Sequence, residues 1–263
     1  MLKHPYFDVE NKVAFITGGA GGLGRAMASA LAENGAAVHL ADRDRGQLDD
    51  AADWFRDQGL SCETHELDVT DFAATREIVT RIVSAGGGLD IAIAAAGLSA
   101  GPGPVTEQGT IAALDFDRWQ AVLDVNLTGV LNTIKAAAEP MAAQGAGRII
   151  AIASDAALRA NPMTGYAYVA SKAGVANIVR QAAIDLAASG VHVNAIAPGP
   201  FETGFGGGRL KETETQARFA ARIPLRRIGT VDEIKGLTLL LSSGASSFIT
   251  GAVMSIDGGV TAA

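Results

Sequence analysis

The sequence contains a single cysteine, Cys62, and only four histidines. One cysteine cannot close an intrachain disulfide, and its neighbours do not match the spacing of metal ligands. The histidines, His4, His39, His65 and His192, are scattered without ligand spacing. We therefore interpret Cys62 as a small residue that fills space in a strand and the histidines as ordinary strand or loop residues, and we predict no metal site.

Long apolar runs and blocks of basic residues are absent as well. No apolar stretch approaches the roughly 18 residues of a membrane span, and the first residues lack the apolar segment and cleavage site of a secretory signal. The formal net charge is −7, which disfavours nucleic acid and anionic membranes as partners. These absences together predict a cytoplasmic protein.

The chain of 263 residues, 48% of them hydrophobic, can bury one large core. Short apolar runs alternate with helical patterns, which is typical of βαβ units around a parallel sheet. We expect one α/β domain over residues 1–263, with a doubly wound parallel sheet and helices on both faces. The predicted strands are Val13–Ile16, Ala37–Ala41, Cys62–Leu67, Ile91–Ala95, Arg148–Ala153, Val191–Ala197 and Val253–Ile256, and the predicted helices include Leu23–Asn34, Arg45–Gln58, Phe72–Ser84, Asp117–Ala143 and Val231–Ser242.

A glycine-rich segment follows the first predicted strand and opens the first helix. Its candidate binding residues are Gly18, Gly22, Leu23 and Gly24. Glycines let the backbone approach a pyrophosphate, and a helix N-terminus offers unpaired N–H groups and the positive end of the helix dipole. The segment therefore predicts a dinucleotide site; the alternative is a flexible glycine turn.

Asp42 follows the second predicted strand, eighteen residues after Gly24. A carboxylate at this place can accept hydrogen bonds from both ribose hydroxyls of an adenosine, and it would repel a 2′-phosphate. Asp42 therefore predicts NAD rather than NADP as the cofactor. Arg43 is evidence against this interpretation, because a neighbouring arginine could bind that phosphate.

Residues after the other strands lie at the edge where ligands bind in open α/β sheets. Asp68 and Val69 are placed to contact the adenine, although Asp68 could instead cap the next helix, a role that Thr70 or Asp71 could equally fill. Small or polar residues after the fourth, fifth and sixth strands complete the candidate set: Ala95, Gly97, Ser154, Pro198, Gly199 and Thr203.

Tyr168 and Lys172 fall on the buried stripe of a predicted helix that Val175 and Val179 continue. A phenol and an ammonium are costly there unless they are used. Side chains four residues apart on a helix point the same way, and a nearby positive charge favours the phenolate. Lowering the tyrosine pKa from about 10 to about 7 needs ~4 kcal/mol, so we expect the positive charge of an oxidised nicotinamide ring to assist the lysine.

Asn126 is a misfit in its predicted helix, because it shares the buried stripe with Trp119 and Val130. Asparagine forms helices poorly, and a buried amide must find hydrogen-bond partners. A functional role and a structural amide that bridges two backbone groups are both open.

Together these residues resemble the short-chain dehydrogenase/reductase family over nearly the full length of the chain. Within that family the chain is most similar to the 3-oxoacyl-carrier-protein reductase, glucose dehydrogenase and gluconate dehydrogenase group. The implied fold is a single Rossmann-type sheet. The resemblance rests on the joint order and spacing of Thr17-Gly18-x-x-x-Gly22-x-Gly24, Asp68-Val69, Asn126-Leu127-x-Gly129, Ser154, Tyr168-x-x-x-Lys172, Pro198-Gly199 and the tail from Ile249 to Gly259.

The resemblance implies a role for each catalytic candidate. Tyr168 would be the general base in oxidation and the acid in reduction, and Lys172 would lower its pKa and hold the nicotinamide ribose. Ser154 would donate a hydrogen bond to the substrate oxygen. Asn126 would hold a water that links Lys172 to solvent, and Thr203 would bind the carboxamide.

The chain departs from the family pattern in two places. The family usually has asparagine in the segment occupied by Ala94 and Ala95. Ser154 lies fourteen residues before Tyr168, where thirteen is the common gap. We favour a loop that is one residue longer, because Ser154 ends the apolar strand; the alternative is an unassigned role for Asp155.

We therefore expect an NAD-dependent dehydrogenase or ketone reductase that acts on a secondary alcohol. The alternatives are an NADP-dependent reductase of 3-oxoacyl thioesters, a sugar or sugar-acid dehydrogenase, and a non-catalytic NAD-binding sensor. The resemblance implies a homotetramer, and the apolar run Leu237–Leu241 and the last strand indicate a buried contact with another subunit.

A glycine-rich segment over residues 200–224 is the expected substrate lid. Its phenylalanines, Phe201, Phe205 and Phe219, favour an apolar or cyclic alcohol. Arg209 and Lys211 favour a carboxylated sugar instead. Alternatively, the phenylalanines only pack the lid onto the body and the charges are solvated.

Overall fold

The computed structural model describes residues 5–205 and 213–263. The strands in these residues are β1 (Val13–Thr17), β2 (Ala37–Asp42), β3 (Glu63–Glu66), β4 (Ile91–Ala94), β5 (Gly147–Ile152), β6 (Val191–Pro198) and β7 (Val253–Ile256). They form one parallel seven-stranded sheet in the order β3-β2-β1-β4-β5-β6-β7. The order reverses between β1 and β4, and the carboxyl ends of all strands open at one edge.

Helices cover both faces of the sheet, which confirms the predicted doubly wound α/β fold of the Rossmann type. The helices are α1 (Gly22–Glu33), α2 (Arg45–Asp57), α3 (Phe72–Gly86), α4 (Phe116–Leu123), α5 (Gly129–Gln144), α6 (Tyr166–Leu186), α7 (Thr213–Ala220) and α8 (Lys235–Ser242). Alternate strand residues face opposite sides: Phe15 packs with α3, α5 and α6, whereas Ile16 packs with α1, α2 and α8. The sheet therefore lies between two helix layers, with one hydrophobic core on each of its faces.

Local sequence explains where several helices begin and end. Asp44 and Asp71 accept hydrogen bonds from backbone N–H groups in the first turns of α2 and α3, each at 3.0 Å. Gly87 and Gly145 end α3 and α5 in the left-handed conformation, which glycine adopts without a steric penalty. The aspartates thus fix where α2 and α3 begin, and the glycines fix where α3 and α5 end.

The long helix predicted over Asp117–Ala143 is interrupted. Residues Asp124–Thr128 form a π turn between α4 and α5, and such single wide turns are frequent at functional sites. The buried misfit Asn126 lies in this turn. The interruption therefore coincides with the one residue whose side chain did not suit a regular buried helix.

His39 and His65 lie on strands, as expected, but the structure brings these two distant residues together. Strands β2 and β3 pair in parallel with His39 opposite Glu63, and His39 Nδ1 lies 3.2 Å from His65 Nε2. The two residues are 26 positions apart in the chain, so no local spacing could reveal the pair. Cys62 is partly buried against the core, as expected of a filling residue.

Part of the expected lid lies outside the described residues, including Arg209 and Lys211, and so does His4. The described part of the lid includes Phe201, which is buried, and Phe205, which is 45% exposed. Within residues 5–205 and 213–263, we find no helix whose length and apolar character would let it cross a membrane.

Candidate active site

A cavity of about 450 Å³ lies at the carboxyl ends of the strands, where ligands bind in sheets of this topology. Every candidate residue named from the sequence lines it except Asn126: Gly18, Gly22, Leu23, Gly24, Asp42, Asp68, Val69, Ala95, Gly97, Ser154, Tyr168, Lys172, Pro198, Gly199 and Thr203. The fold thus gathers residues from most of the chain around one space.

The glycine-rich turn after β1 is shaped by close backbone contacts. Gly18 has a φ of +66°, and a Cβ there would meet the backbone nitrogen of Ala96 at 2.6 Å. A Cβ on Gly24 would collide with the carbonyl group of Gly18. Helix α1 begins after Gly21 without a side-chain cap. This bare backbone cradle at a helix N-terminus fits the pyrophosphate of a dinucleotide.

Replacing Gly24 by alanine should lower both stability and cofactor affinity, because the new Cβ would displace the Gly18 carbonyl. Overpacking of this kind costs about 1–3 kcal/mol, and a loss of that size in binding raises the dissociation constant of NADH by about tenfold or more. Thermal unfolding and NADH fluorescence titration measure the two effects. Gly236→Ala in α8 is the matched control, since the space around Gly236 is open. Equal melting temperatures and equal NADH dissociation constants for the two variants would contradict the close contact between Gly24 and Gly18.

Two carboxylates lie at the ends of β2 and β3. Asp42 Oδ1 accepts a hydrogen bond from the backbone N–H of Arg43 at 2.8 Å. Asp68 Oδ1 accepts from the backbone N–H and the hydroxyl of Thr70 at 2.9 and 2.7 Å, and these bonds lower the pKa of the Asp68 carboxyl. Helix α3 is capped by Asp71, so the capping role considered for Asp68 belongs to its neighbour.

Tyr168 and Lys172 lie on the inward face of α6, as their spacing predicts. Lys172 is 3% exposed, and its Nζ lies 5.6 Å from the centre of the Tyr168 ring. This Nζ donates a hydrogen bond to the carbonyl oxygen of Ile152 at 2.7 Å. The ring of Phe205 lies 5.9 Å from that of Tyr168, so an apolar side chain borders the phenol.

The pKa values of this pair differ from the expectation. Burial raises the pKa of Tyr168 to about 12, with the charge of Asp155 adding to the rise and a hydrogen bond with Ser154 opposing it. Burial also lowers the pKa of Lys172 to about 8. The expected fall of the Tyr168 pKa is not found, because burial dominates and the Nζ of Lys172 is turned to a carbonyl oxygen. A phenolate here needs the further positive charge that the expectation also required.

Ser154 lies between Tyr168 and a buried acid. Its Oγ donates to Asp155 Oδ1 at 2.9 Å and accepts from the backbone N–H of Ala156 at 3.2 Å. Asp155 is 5% exposed, and burial raises the pKa of its carboxyl. Of these two neighbours, it is Ser154 that lines the cavity. Asp155 orients the serine hydroxyl, a contact that sequence reasoning left unassigned.

Asn126 lies behind the cavity wall. Its Oδ1 accepts from the backbone N–H of Leu98 at 2.6 Å, and its Nδ2 donates to the Leu98 carbonyl oxygen at 2.9 Å and to Ser171 Oγ at 3.3 Å. This is the geometry of a structural amide that bridges backbone groups. A Cβ on Gly97 would lie 3.5 Å from Asn126 Oδ1 and 3.8 Å from Lys172 Nζ, so the amide and the ammonium both border Gly97.

Some cavity residues were missed from the sequence. Gln47, in the first turn of α2, and Leu98, after β4, line the cavity but belong to no motif; their only signal is their place just beyond a strand end. Phe205 was named only as a lid residue, not as a neighbour of Tyr168. Thr203 also lies beside Gly22. A Cβ added at Gly22 would lie 3.1 Å from the methyl group of Thr203.

Known families and proteins share the sequence of this chain over nearly its full length. The family model described as Enoyl-(Acyl carrier protein) reductase matches residues 18–261. Cis-4-hydroxycyclohexanecarboxylate dehydrogenase of Sinomonas cyclohexanicum is 39% identical over 95% of this chain and 97% of its own length. Cyclohexanol dehydrogenase of a Rhodococcus species is 37% identical over 96% of this chain and 97% of its own.

A solved structure of gluconate 5-dehydrogenase from Burkholderia cenocepacia, in complex with NADP and tartrate, is similar over 98% of both chains, with a TM-score of 0.88 and 33% identity. The sheet topology and the glycine cradle are those of a dinucleotide-binding fold. With these matches, the chain belongs to the short-chain dehydrogenase/reductase family. It is an oxidoreductase of the kind that acts on alcohol, ketone or sugar-acid substrates.

Proposed function

We propose that the protein is an NAD-dependent dehydrogenase that transfers a hydride between a secondary alcohol, or its ketone, and nicotinamide. The observation that carries this proposal is the meeting of Ser154, Tyr168 and Lys172 at a cavity that Asp42 also lines. Small or cyclic alcohols are the proposed substrates, because Phe205 borders Tyr168 and two relatives are named for hydroxylated cyclohexanes.

The bound cofactor supplies the carbon that accepts or gives up the hydride. Tyr168 takes the hydroxyl proton in oxidation and returns it in reduction. Lys172, on the same helix face, favours the phenolate while it is charged and holds the nicotinamide ribose. Ser154 donates to the substrate oxygen once its proton turns away from Asp155.

Asn126 would hold the water that connects Lys172 with solvent. Both of its N–H groups have partners, but its oxygen accepts one hydrogen bond from Leu98, and an amide oxygen can accept two. The bridging geometry and the water-holding role are therefore compatible.

NADP is the second candidate cofactor, and sugar acids are the second candidate substrates. Arg43 lines the cavity beside Asp42, where it could pair with a 2′-phosphate, and the Burkholderia gluconate 5-dehydrogenase is in complex with NADP. Asp42 favours NAD, because its carboxylate would repel that phosphate.

The test is reduced-cofactor formation at alkaline pH with NAD and with NADP. The panel holds cyclohexanol, a hydroxycyclohexanecarboxylate, gluconate and a 3-hydroxyacyl thioester. We expect turnover with NAD and a cyclic alcohol. Turnover with NADP alone would overturn the assignment from Asp42, and preference for gluconate or the thioester would overturn the substrate class. NADH binding without turnover of any compound would favour the sensor.

We also propose a homotetramer. Strand β7 forms one edge of the sheet, and nearby Phe248 is fully exposed, so apolar surface is available for another copy of the chain. Light scattering of the purified protein should give the mass of four chains, and a mass of one or two chains would contradict this.

A further inference from the structure

A cluster of three potential metal ligands lies away from the cavity, on the sheet face that α3 covers. His39 on β2 is opposite Glu63 on β3, and His65 follows two residues later on the same strand, so all three side chains share one face. His39 is 7% exposed, and the side chain of Glu63 is 74% exposed. The cluster is therefore buried at His39 and open to solvent at Glu63.

The distances within the cluster match those of a metal site. His39 Nδ1 lies 3.2 Å from His65 Nε2 and 3.5 Å from Glu63 Oε2, and the ligand atoms all lie within 4.8 Å of one another. Two imidazole nitrogens on a tetrahedral zinc ion, each about 2.0–2.1 Å from the metal, are about 3.3 Å apart. The two nitrogens are thus already at the required separation, and the exposed glutamate can adjust.

The protonation state of the rings also suits a metal ion. Burial lowers the pKa of both His39 and His65, and a neutral imidazole is the form that offers a lone pair to a metal ion. One ring must now donate to the other across the 3.2 Å contact. Metal binding requires that this proton move to the far nitrogen of its own ring and that both rings turn their lone pairs toward the ion.

The charges that face the cluster are Glu63, which favours a cation, and Arg81 on α3, which opposes one by lowering the pKa of His65. Arg81 has its own partner, since its Nε lies 4.0 Å from Glu77 Oε1. Glu63 is a direct ligand candidate, whereas Arg81 acts only through space. The nearby charges therefore favour a cation at the cluster more directly than they oppose one.

We propose that His39, Glu63 and His65 bind a divalent transition-metal ion, with water as the remaining ligand. Two imidazoles and a carboxylate suit Zn²⁺. The ion would fasten the edge strand β3 to β2. Those two strands lead directly to Asp42 and Asp68, so the site would brace the edge of the sheet that ends at the cavity.

The experiment is calorimetric titration of Zn²⁺ into untagged, chelator-stripped protein, paired with thermal unfolding at rising Zn²⁺ concentrations. We expect one Zn²⁺ bound per chain and a melting temperature that rises with Zn²⁺, because a ligand that binds the folded state stabilises it. Glu63→Gln should weaken binding by about tenfold or more, and His65→Gln should abolish it.

Glu66→Gln is the matched control, because Glu66 is an exposed residue on the same strand but lies outside the cluster; it should bind Zn²⁺ like the unchanged protein. Glu63→Gln alters an exposed side chain, so it keeps the test valid if His65→Gln fails to fold. The proposal is overturned if the stripped protein shows no saturable binding, or if Glu63→Gln and Glu66→Gln bind Zn²⁺ equally. The two histidines would then be a hydrogen-bonded pair only.

Discussion

Replacing Tyr168 by phenylalanine should reduce kcat by about a hundredfold to ten-thousandfold, since proton transfer by a positioned side chain contributes about 10²–10⁴-fold. The change removes only the hydroxyl and keeps the ring that lies 5.9 Å from Phe205. We therefore expect the melting temperature and the NADH dissociation constant to stay close to those of the unchanged protein. Steady-state turnover, thermal unfolding and fluorescence titration give the three readouts.

Tyr166→Phe is the matched control for this variant. Tyr166 is an exposed phenol on the same helix, and the residue four positions on is Ala170 rather than a lysine. Its loss should leave turnover unchanged. If Tyr168→Phe retained more than a small fraction of activity while Tyr166→Phe lost it, the catalytic assignment would be wrong.

The pH profile supplies a second signature of the same group. Burial raises the pKa of Tyr168 to about 12, so the base form needed for oxidation gains population as the pH rises. Oxidation should therefore accelerate with pH in the alkaline range, and less steeply above about pH 8, where Lys172 loses the charge that favours the phenolate. A profile for the unchanged protein that is flat there would argue against a tyrosine base.

Replacing Asp42 by serine should raise the KM for NAD by about ten- to a hundredfold, because hydrogen bonds to a charged group contribute about 1.5–3 kcal/mol. It should also lower the KM for NADP, since the repulsion of the 2′-phosphate disappears while Arg43 stays in the cavity lining. The measurement is the ratio of kcat/KM for the two cofactors with one alcohol.

Asp50→Asn is the control for the loss of charge, because Asp50 is an exposed carboxylate on α2. It should leave the cofactor ratio unchanged. An unaltered NAD preference in Asp42→Ser, or the same change in both variants, would contradict a direct contact between Asp42 and the ribose.

Much of the fold could be predicted because its elements are encoded locally. The apolar run at Val13 and the cap at Asp71 each act within a few residues. A parallel sheet then gathers all carboxyl strand ends at one edge, so residues such as Asp42 and Ser154 could be chosen without knowing the packing.

The features that escaped prediction depend on distant partners. Asn126 bonds to Leu98, 28 positions away, and His39 meets His65 across two paired strands. The direction of the Tyr168 pKa shift was missed for the same reason, since it is set by burial and by Asp155 and Ser154. The spacing within one helix places Lys172 near the phenol, but it gives no information about the burial of Tyr168 or about its neighbours Ser154 and Asp155.

The π turn at Asp124–Thr128 limits how this chain can evolve. An α-helix turns by about 100° per residue, so in an unbroken helix Val122 and Val130, eight positions apart, would point about 80° away from each other. The π turn holds one residue more than an α turn, and both side chains are buried. A one-residue deletion in the turn would leave the two valines seven positions apart, again on one face of a regular helix, but it would remove the wide turn that holds Asn126 against Leu98. The extra residue here is therefore tied to the position of Asn126 rather than to the packing of α4 and α5.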